Sequence, residues 1–183
     1  MEHMQDECGF TLVELMLSIL LLSILFLAAW GLFAQGFVFW KQGEHKVDMN
    51  DSLRISLDRM GRELRYTEGI STVSDISSLN FKTAEGKNVK YYCYSNQLIR
   101  GEQGLSGWGY SPVTSDIESI EFIYTTSFGL DINESNIATQ KQLYPTTWTA
   151  YINLVAITIT ARKEGSKVDP VVLTQKVSLR ALP

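Results

Sequence analysis

From Leu15 to Ala34 the chain reads LMLSILLLSILFLAAWGLFA, twenty residues without a charge. At 1.5 Å rise per residue such a helix is about 30 Å long, the thickness of a bilayer's hydrocarbon core. The protein therefore passes through a membrane at some stage. What remains of the 183 residues suffices for one ordinary domain. Hydrophobic residues make up 45% of the chain, so a packed core is available to that domain as well. The net charge of −4 argues against nucleic acid as the main partner, because phosphate binding needs a basic surface.

The residues ahead of the run do not form a secretory signal peptide, which begins with a positive segment and ends at a small-residue cleavage site. Residues 1–9 contain Glu2, Asp6 and Glu7 and no Lys or Arg, and the run continues into Gln35-Gly36-Phe37-Val38-Phe39-Trp40 rather than an A-x-A site. A lipoprotein reading of Cys8 fails too, since Gln5-Asp6-Glu7 before it are polar. Directly ahead of the span stands Gly9-Phe10-Thr11-Leu12-Val13-Glu14. This hexapeptide, with its place near the N-terminus and the membrane-length run behind it, resembles the type IV prepilin signature. The resemblance implies that a membrane-embedded prepilin peptidase cuts between Gly9 and Phe10 and that the new Phe10 amine is methylated. Glu14 then becomes the fifth residue of the mature chain.

A carboxylate left unpaired at membrane depth costs on the order of 2.5–3.5 kcal/mol, so Glu14 calls for a partner. By position alone it either faces water at headgroup level or favours the positive N-terminal end of its helix. The resemblance implies a third role, pairing with the N-terminal amine of a neighbouring subunit during filament assembly. In one respect the leader departs from the family, whose leaders carry Lys or Arg. Here Lys41 and Lys46 follow the span instead, the reverse of the bias that keeps a leader cytoplasmic.

Helical periodicity continues past Trp40. Met49, Leu53, Leu57, Met60 and Leu64 form one stripe, and Arg54, Asp58, Arg59, Arg62, Glu63 and Arg65 occupy the other, solvated faces. Asp58 and Arg62 are spaced for an i,i+4 ion pair. Glu68-Gly69 is the expected stop, giving one helix over about residues 11–66, with weak points at Gly31, Gly36 and Gly43. From residue 70 onward short β-rich runs alternate with turn residues. The expected strands are Ser78–Lys82, Val89–Tyr94, Gln97–Arg100, Ile117–Thr125, Ala150–Arg162 and Val171–Arg180. Hairpin turns are expected at residues 84–88 and at Ser95-Asn96. One antiparallel sheet covered by the amphipathic half-helix satisfies these patterns. The fold class is thus α+β, and the order of long helix then sheet resembles the pilin fold. The expected divisions are residues 1–9 as leader, 10–40 as transmembrane or filament-core helix, 41–69 as its amphipathic half and 70–183 as a β-rich head.

The segment Leu57–Arg65, the run Val113–Tyr124 and the late Arg180 are similar to minor pilins of the PilW and PulJ type. Major pilins commonly carry a C-terminal disulfide loop, which this chain lacks; Cys8 and Cys93 lie on opposite sides of the span and are not expected to pair. The resemblance implies a minor pilin or pseudopilin that starts or caps a type IV pilus or a type II secretion pseudopilus, with a DNA-uptake pilus as a third setting. It also implies the partners: prepilin peptidase, other pilins or pseudopilins, the inner-membrane assembly platform and the membrane itself. The chain would then cross the inner membrane once, with its head outside the cytoplasm, before entering the filament. A membrane-anchored extracytoplasmic binding module is the alternative.

No constellation suggests catalysis, a metal or another cofactor. The only histidines, His3 and His45, have no nucleophile beside them, and His45 reads as a surface residue near the membrane. Cys93, within Tyr91-Tyr92-Cys93-Tyr94, reads as a half-buried structural thiol. Gly101–Gly109 is glycine-rich without the strand–loop–helix context or Lys of a phosphate site, and is expected to be a flexible surface loop. Asp131–Asn136 has the D-x-N-x-S start of a calcium loop but lacks Gly at the sixth position and an acid at the twelfth. Trp108, Tyr110, Tyr144 and Trp148 are expected to pack in the core, with exposure at a subunit contact as the second choice.

Overall fold

The computed structural model describes residues 11–163 and 169–180. Helix α1 (Leu12–Arg65) runs unbroken through Gly31, Gly36 and Gly43, each with open space where a side chain would lie. The chain divides into two compact units, one reaching to His45 and the other starting at Lys46. Within the second unit the last turns of α1 are followed by two antiparallel sheets, an α+β, pilin-like arrangement.

The first sheet is a meander of β1 (Thr67–Ile70), β2 (Ser78–Thr83), β3 (Asn88–Tyr94), β4 (Gln97–Gly104) and β5 (Gly107–Ser115), in that spatial order. The second contains β6 (Ile117–Thr126), β7 (Asp131–Ile132), β8 (Ile152–Ala161) and β9 (Val171–Ser178), in the order β7-β6-β8-β9. A short helix α2 (Ile137–Leu143) lies between β7 and β8. All six expected strands are present, most of them with ends shifted by a few residues, but they form two sheets rather than one. The division falls at Asp116, whose φ of +61° turns the chain between β5 and β6. Asp tolerates this left-handed conformation better than most residues. Its carbonyl accepts the Arg162 N–H at 2.9 Å, and the next N–H, of Ile117, donates to Asn96. So β6 leaves the first sheet and pairs with β8.

Further differences lie in the irregular parts. The helix ends at Arg65, and Glu68-Gly69 is strand rather than helix stop, with Gly69 paired to Lys82. Gly101–Gly109 is not a loop: it lies in a hairpin of β4 and β5, which turns between Gly104 and Gly107. Ser95 and Asn96, with φ of +50° and +57°, make the expected two-residue turn between β3 and β4.

Four of the five stripe residues on α1 are buried as their spacing predicts, and Met49 is partly buried against the same cluster. Leu53, Leu57, Met60 and Leu64 enter one apolar cluster with Leu79, Phe81 and Val89 of the first sheet and Phe122, Val155 and Ile157 of the second. Each such side chain contributes about 1.5–3 kcal/mol when fully buried. Gly61 lets α1 approach β9 closely, because a methyl there would lie 3.0 Å from the Gln175 amide nitrogen. The segment between β1 and β2 serves the second sheet: Phe122 N–H donates to the Ile76 carbonyl at 2.7 Å and the Tyr124 hydroxyl to the Asp75 carbonyl at 2.8 Å.

Candidate functional site

Gly9 and Phe10 lie outside the described residues, as do Cys8 and His3; Thr11 and Glu14 are described. Thr11 stands immediately before α1 as its N-terminal cap. Its hydroxyl oxygen accepts the Glu14 N–H at 3.3 Å, and its carbonyl accepts the Leu15 N–H at 3.1 Å. Thr-Leu-Val-Glu therefore has the spacing of a capping box and makes one of its two arms. The Glu14 side chain is exposed in the first turn, where the helix's unpaired N–H groups favour a negative charge by about 0.3–1 kcal/mol.

Among the described residues every residue from Leu12 to Trp40 is exposed. Among the described residues α1 is the one helix long and apolar enough to cross a membrane. The largest apolar patch on a typical soluble monomer is about 300–600 Å², and a bare apolar helix of eight turns exceeds that several-fold. Lipid or other apolar helices must supply the missing contacts. Ser23 suits such surroundings, since its hydroxyl returns to the Leu20 carbonyl at 2.7 Å and leaves no unsatisfied donor.

Residues 4–30 match the prokaryotic N-terminal methylation motif. The methylation motif covers the Gly9–Glu14 signature and the apolar helix as far as Trp30, so the type IV pilin-like prepilin signature expected from those residues is present. It does not extend to the head. No curated protein matches the chain. The matched residues include Thr11, Glu14 and the apolar helix as far as Trp30: a capped helix start, an exposed carboxylate on it, and an apolar stretch long enough to cross a membrane.

In the head, the other sequence candidates resolve differently. Asp131–Asn136 spends its side chains on its own turn. The Asp131 carboxylate accepts the Thr125 hydroxyl at 2.6 Å, and the Asn136 side chain bridges the Asp131 carbonyl and the Asn133 N–H. Among the described residues no three His, Cys, Asp or Glu side chains cluster as metal ligands would. His45 is exposed on α1. Cys93 is a free, half-buried thiol; burial raises its pKa, and its Sγ faces the Ile117 carbonyl at 3.7 Å. Of the four aromatics expected in the core, only Trp148 is buried; Trp108, Tyr110 and Tyr144 are exposed.

Sequence reasoning missed a charged clamp between α1 and the first sheet. Glu63 does not belong to the solvated face. Its carboxylate accepts Arg100 Nε at 3.1 and 3.2 Å and the Tyr91 hydroxyl at 3.0 Å, with Arg59 beside it at 3.4 Å. Arg100 reaches on to Glu102 at 2.7 Å, and Glu102 also holds Lys87 at 2.8 Å. Hydrogen bonds from Lys87 and Arg100 hold the Glu102 carboxyl down at a pKa of about 2. Burial works against the Arg100 charge, but its bonds to Glu102 and Glu63 prevail and raise its pKa. The signal for this clamp was Arg100-Gly101-Glu102, two charges on one side of a strand. By contrast Asp58 and Arg62 pair at 3.1 Å on the exposed face, as their spacing predicts.

Proposed function

We propose that this chain is a structural filament subunit, a minor pilin or pseudopilin that helps to start or cap a type IV pilus or a type II secretion pseudopilus. The observation that carries the reading is the prepilin-type motif over residues 4–30, heading a helix whose apolar side chains are uncovered to Trp40. A prepilin peptidase cuts between Gly9 and Phe10, and the Phe10 amine is methylated. The apolar helix first resides in the inner membrane, with the head outside the cytoplasm. It then transfers into the filament core, where helices of other pilins replace lipid. The carboxylate of Glu14 pairs there with the N-terminal amine of a neighbour. A subunit at any other axial stagger leaves that charge buried and unpaired, so the pair sets register while apolar packing supplies adhesion.

N-terminal sequencing of the protein extracted from membranes tests the processing step. The sequence is expected to begin at a methylated Phe10 in cells with an active prepilin peptidase and at the uncut leader in cells lacking it. Gly9→Leu is expected to stay uncut. Uncut chain in peptidase-positive cells refutes the reading. A deletion strain scored side by side for surface pili and for protein secretion assigns the filament.

A further inference from the structure

The meander sheet has a second face, turned away from the core. Along β3 the alternation buries Val89 and Tyr91 and turns Lys90 and Tyr92 outward. Across the strands the pairing brings Lys90, Gly101 and Tyr110 into one row and Asn88, Gln103 and Trp108 into the next. Gly101 is the key to this surface. A methyl there would lie 2.9 Å from Tyr110 Cε1 and 3.2 Å from Trp108 Cε3, so both rings rest on bare backbone. Their centroids are 6.2 Å apart and their planes agree within 13°. Tyr92 meets Tyr110 edge-on, and the Lys90 ammonium sits 4.8 Å from the Tyr92 ring centre. The Asn88 amide donates to Gln103 at 2.7 Å beside them. Despite these contacts Trp108 is 40% exposed and Tyr110 58% exposed.

The charge on this face is unlike that of the rest of the molecule. The chain has 20 acidic and 16 basic residues, yet β2 to β5 turn no Asp or Glu toward it. Glu68 at its margin is held by Lys82 at 2.5 Å. Among the described residues Lys90 is the one cation on the face outside an ion pair. Aromatic rings fixed on a rigid sheet suit the C–H faces of sugar rings, planar amides suit their hydroxyls, and a lone lysine on an acid-free face complements one carboxylate. A nucleic acid would need several cations here to neutralise its phosphates.

We propose that this face binds an acidic polysaccharide, with Trp108 and Tyr110 stacking on sugar rings, Asn88 and Gln103 bonding hydroxyls and Lys90 meeting a carboxylate. The site does not depend on the filament reading. The test is calorimetric titration of the full chain, held in mild detergent, with an alginate oligosaccharide. Saturable binding that weakens as salt rises is expected. Trp108→Ala or Tyr110→Ala should weaken it at least about tenfold, the effect of losing one central aromatic anchor. Tyr110→Ala also uncovers the Gly101 backbone, so each variant's thermal transition is recorded. Lys90→Met keeps the stem over Tyr92 and supplies an independent arm. It should weaken alginate several-fold, remove most of the salt dependence and leave the binding of a neutral cello-oligosaccharide unchanged. No saturable binding at millimolar alginate, equal affinity in the folded aromatic variants, or tighter binding of the neutral sugar or of oligo(dT) would overturn the proposal. Self-association that Tyr110→Ala abolishes, without alginate binding, would assign the face to a second copy and overturn it equally.

Discussion

Replacing Arg100 by methionine is expected to loosen the join between α1 and the meander sheet. The Arg100 side chain is only 13% exposed and ties Glu63 of the helix to Glu102 of its own strand. Removing one partner of a fully buried pair costs about 3–5 kcal/mol, whereas an exposed pair is worth about 0–1 kcal/mol. The clamp lies between these limits. Glu63 retains Arg59 and Tyr91, Glu102 retains Lys87, and both carboxylates keep some contact with water. Methionine also fills most of the vacated volume. A loss of about 2 kcal/mol follows, or about 8 °C in Tm for a folded unit of this size. The assay is thermal denaturation of the full chain in mild detergent, followed by the near-ultraviolet dichroism of the buried aromatics. The pH dependence gives a second constraint. Glu102 has its pKa depressed from 4.5 to about 2 by Lys87 first and Arg100 second. A depressed carboxyl contributes stability that is present above pH 4.5 and is lost as pH falls toward 2. The deficit of Arg100→Met should therefore be full at pH 6 and should shrink between pH 4.5 and 2. A deficit below about 2 °C at pH 7, or one that widens under acid, refutes the clamp.

Glu14→Leu should leave processing and head folding intact but deplete the subunit from purified filaments, and Glu14→Asp should retain part of the wild-type level. A charge pair at about 4 Å and an effective dielectric near 20 is worth about 4 kcal/mol before desolvation, and equal incorporation of Glu14→Leu and wild type would refute the pairing. Thr11→Ala removes the hydroxyl that caps α1 and should destabilise its first turn by about 1 kcal/mol. Faster exchange of the Glu14 amide in micelles, reversed in Thr11→Ser, is the readout. Residues 46–183 expressed alone should give a single cooperative thermal transition, since the stripe from Leu53 to Leu64 is covered by the two sheets; a gradual, non-cooperative melt would show that the head depends on its neighbours.

The anchor was legible in the sequence because its determinants are local. Twenty uncharged residues have no place in water whatever the rest of the chain does. The stripe from Met49 to Leu64 follows from helix geometry alone, and the alternation in Ile120–Tyr124 and Val155–Thr160 from strand geometry. Long-range pairing was not legible. Which strands share a sheet turned on the left-handed turn at Asp116 and on hydrogen bonds to Asn96 and Arg162, distant in sequence. Glu63 read as solvated because its helical position lies off the apolar stripe. It is drawn inward by Arg100, 37 residues away, a partner that only the folded sheet brings within 3.1 Å. Gly101–Gly109 read as a loop for a similar reason. Glycine supplies no side chain to signal a strand, and here the missing side chain is what admits the rings of Trp108 and Tyr110, which belong to the strand paired beside it.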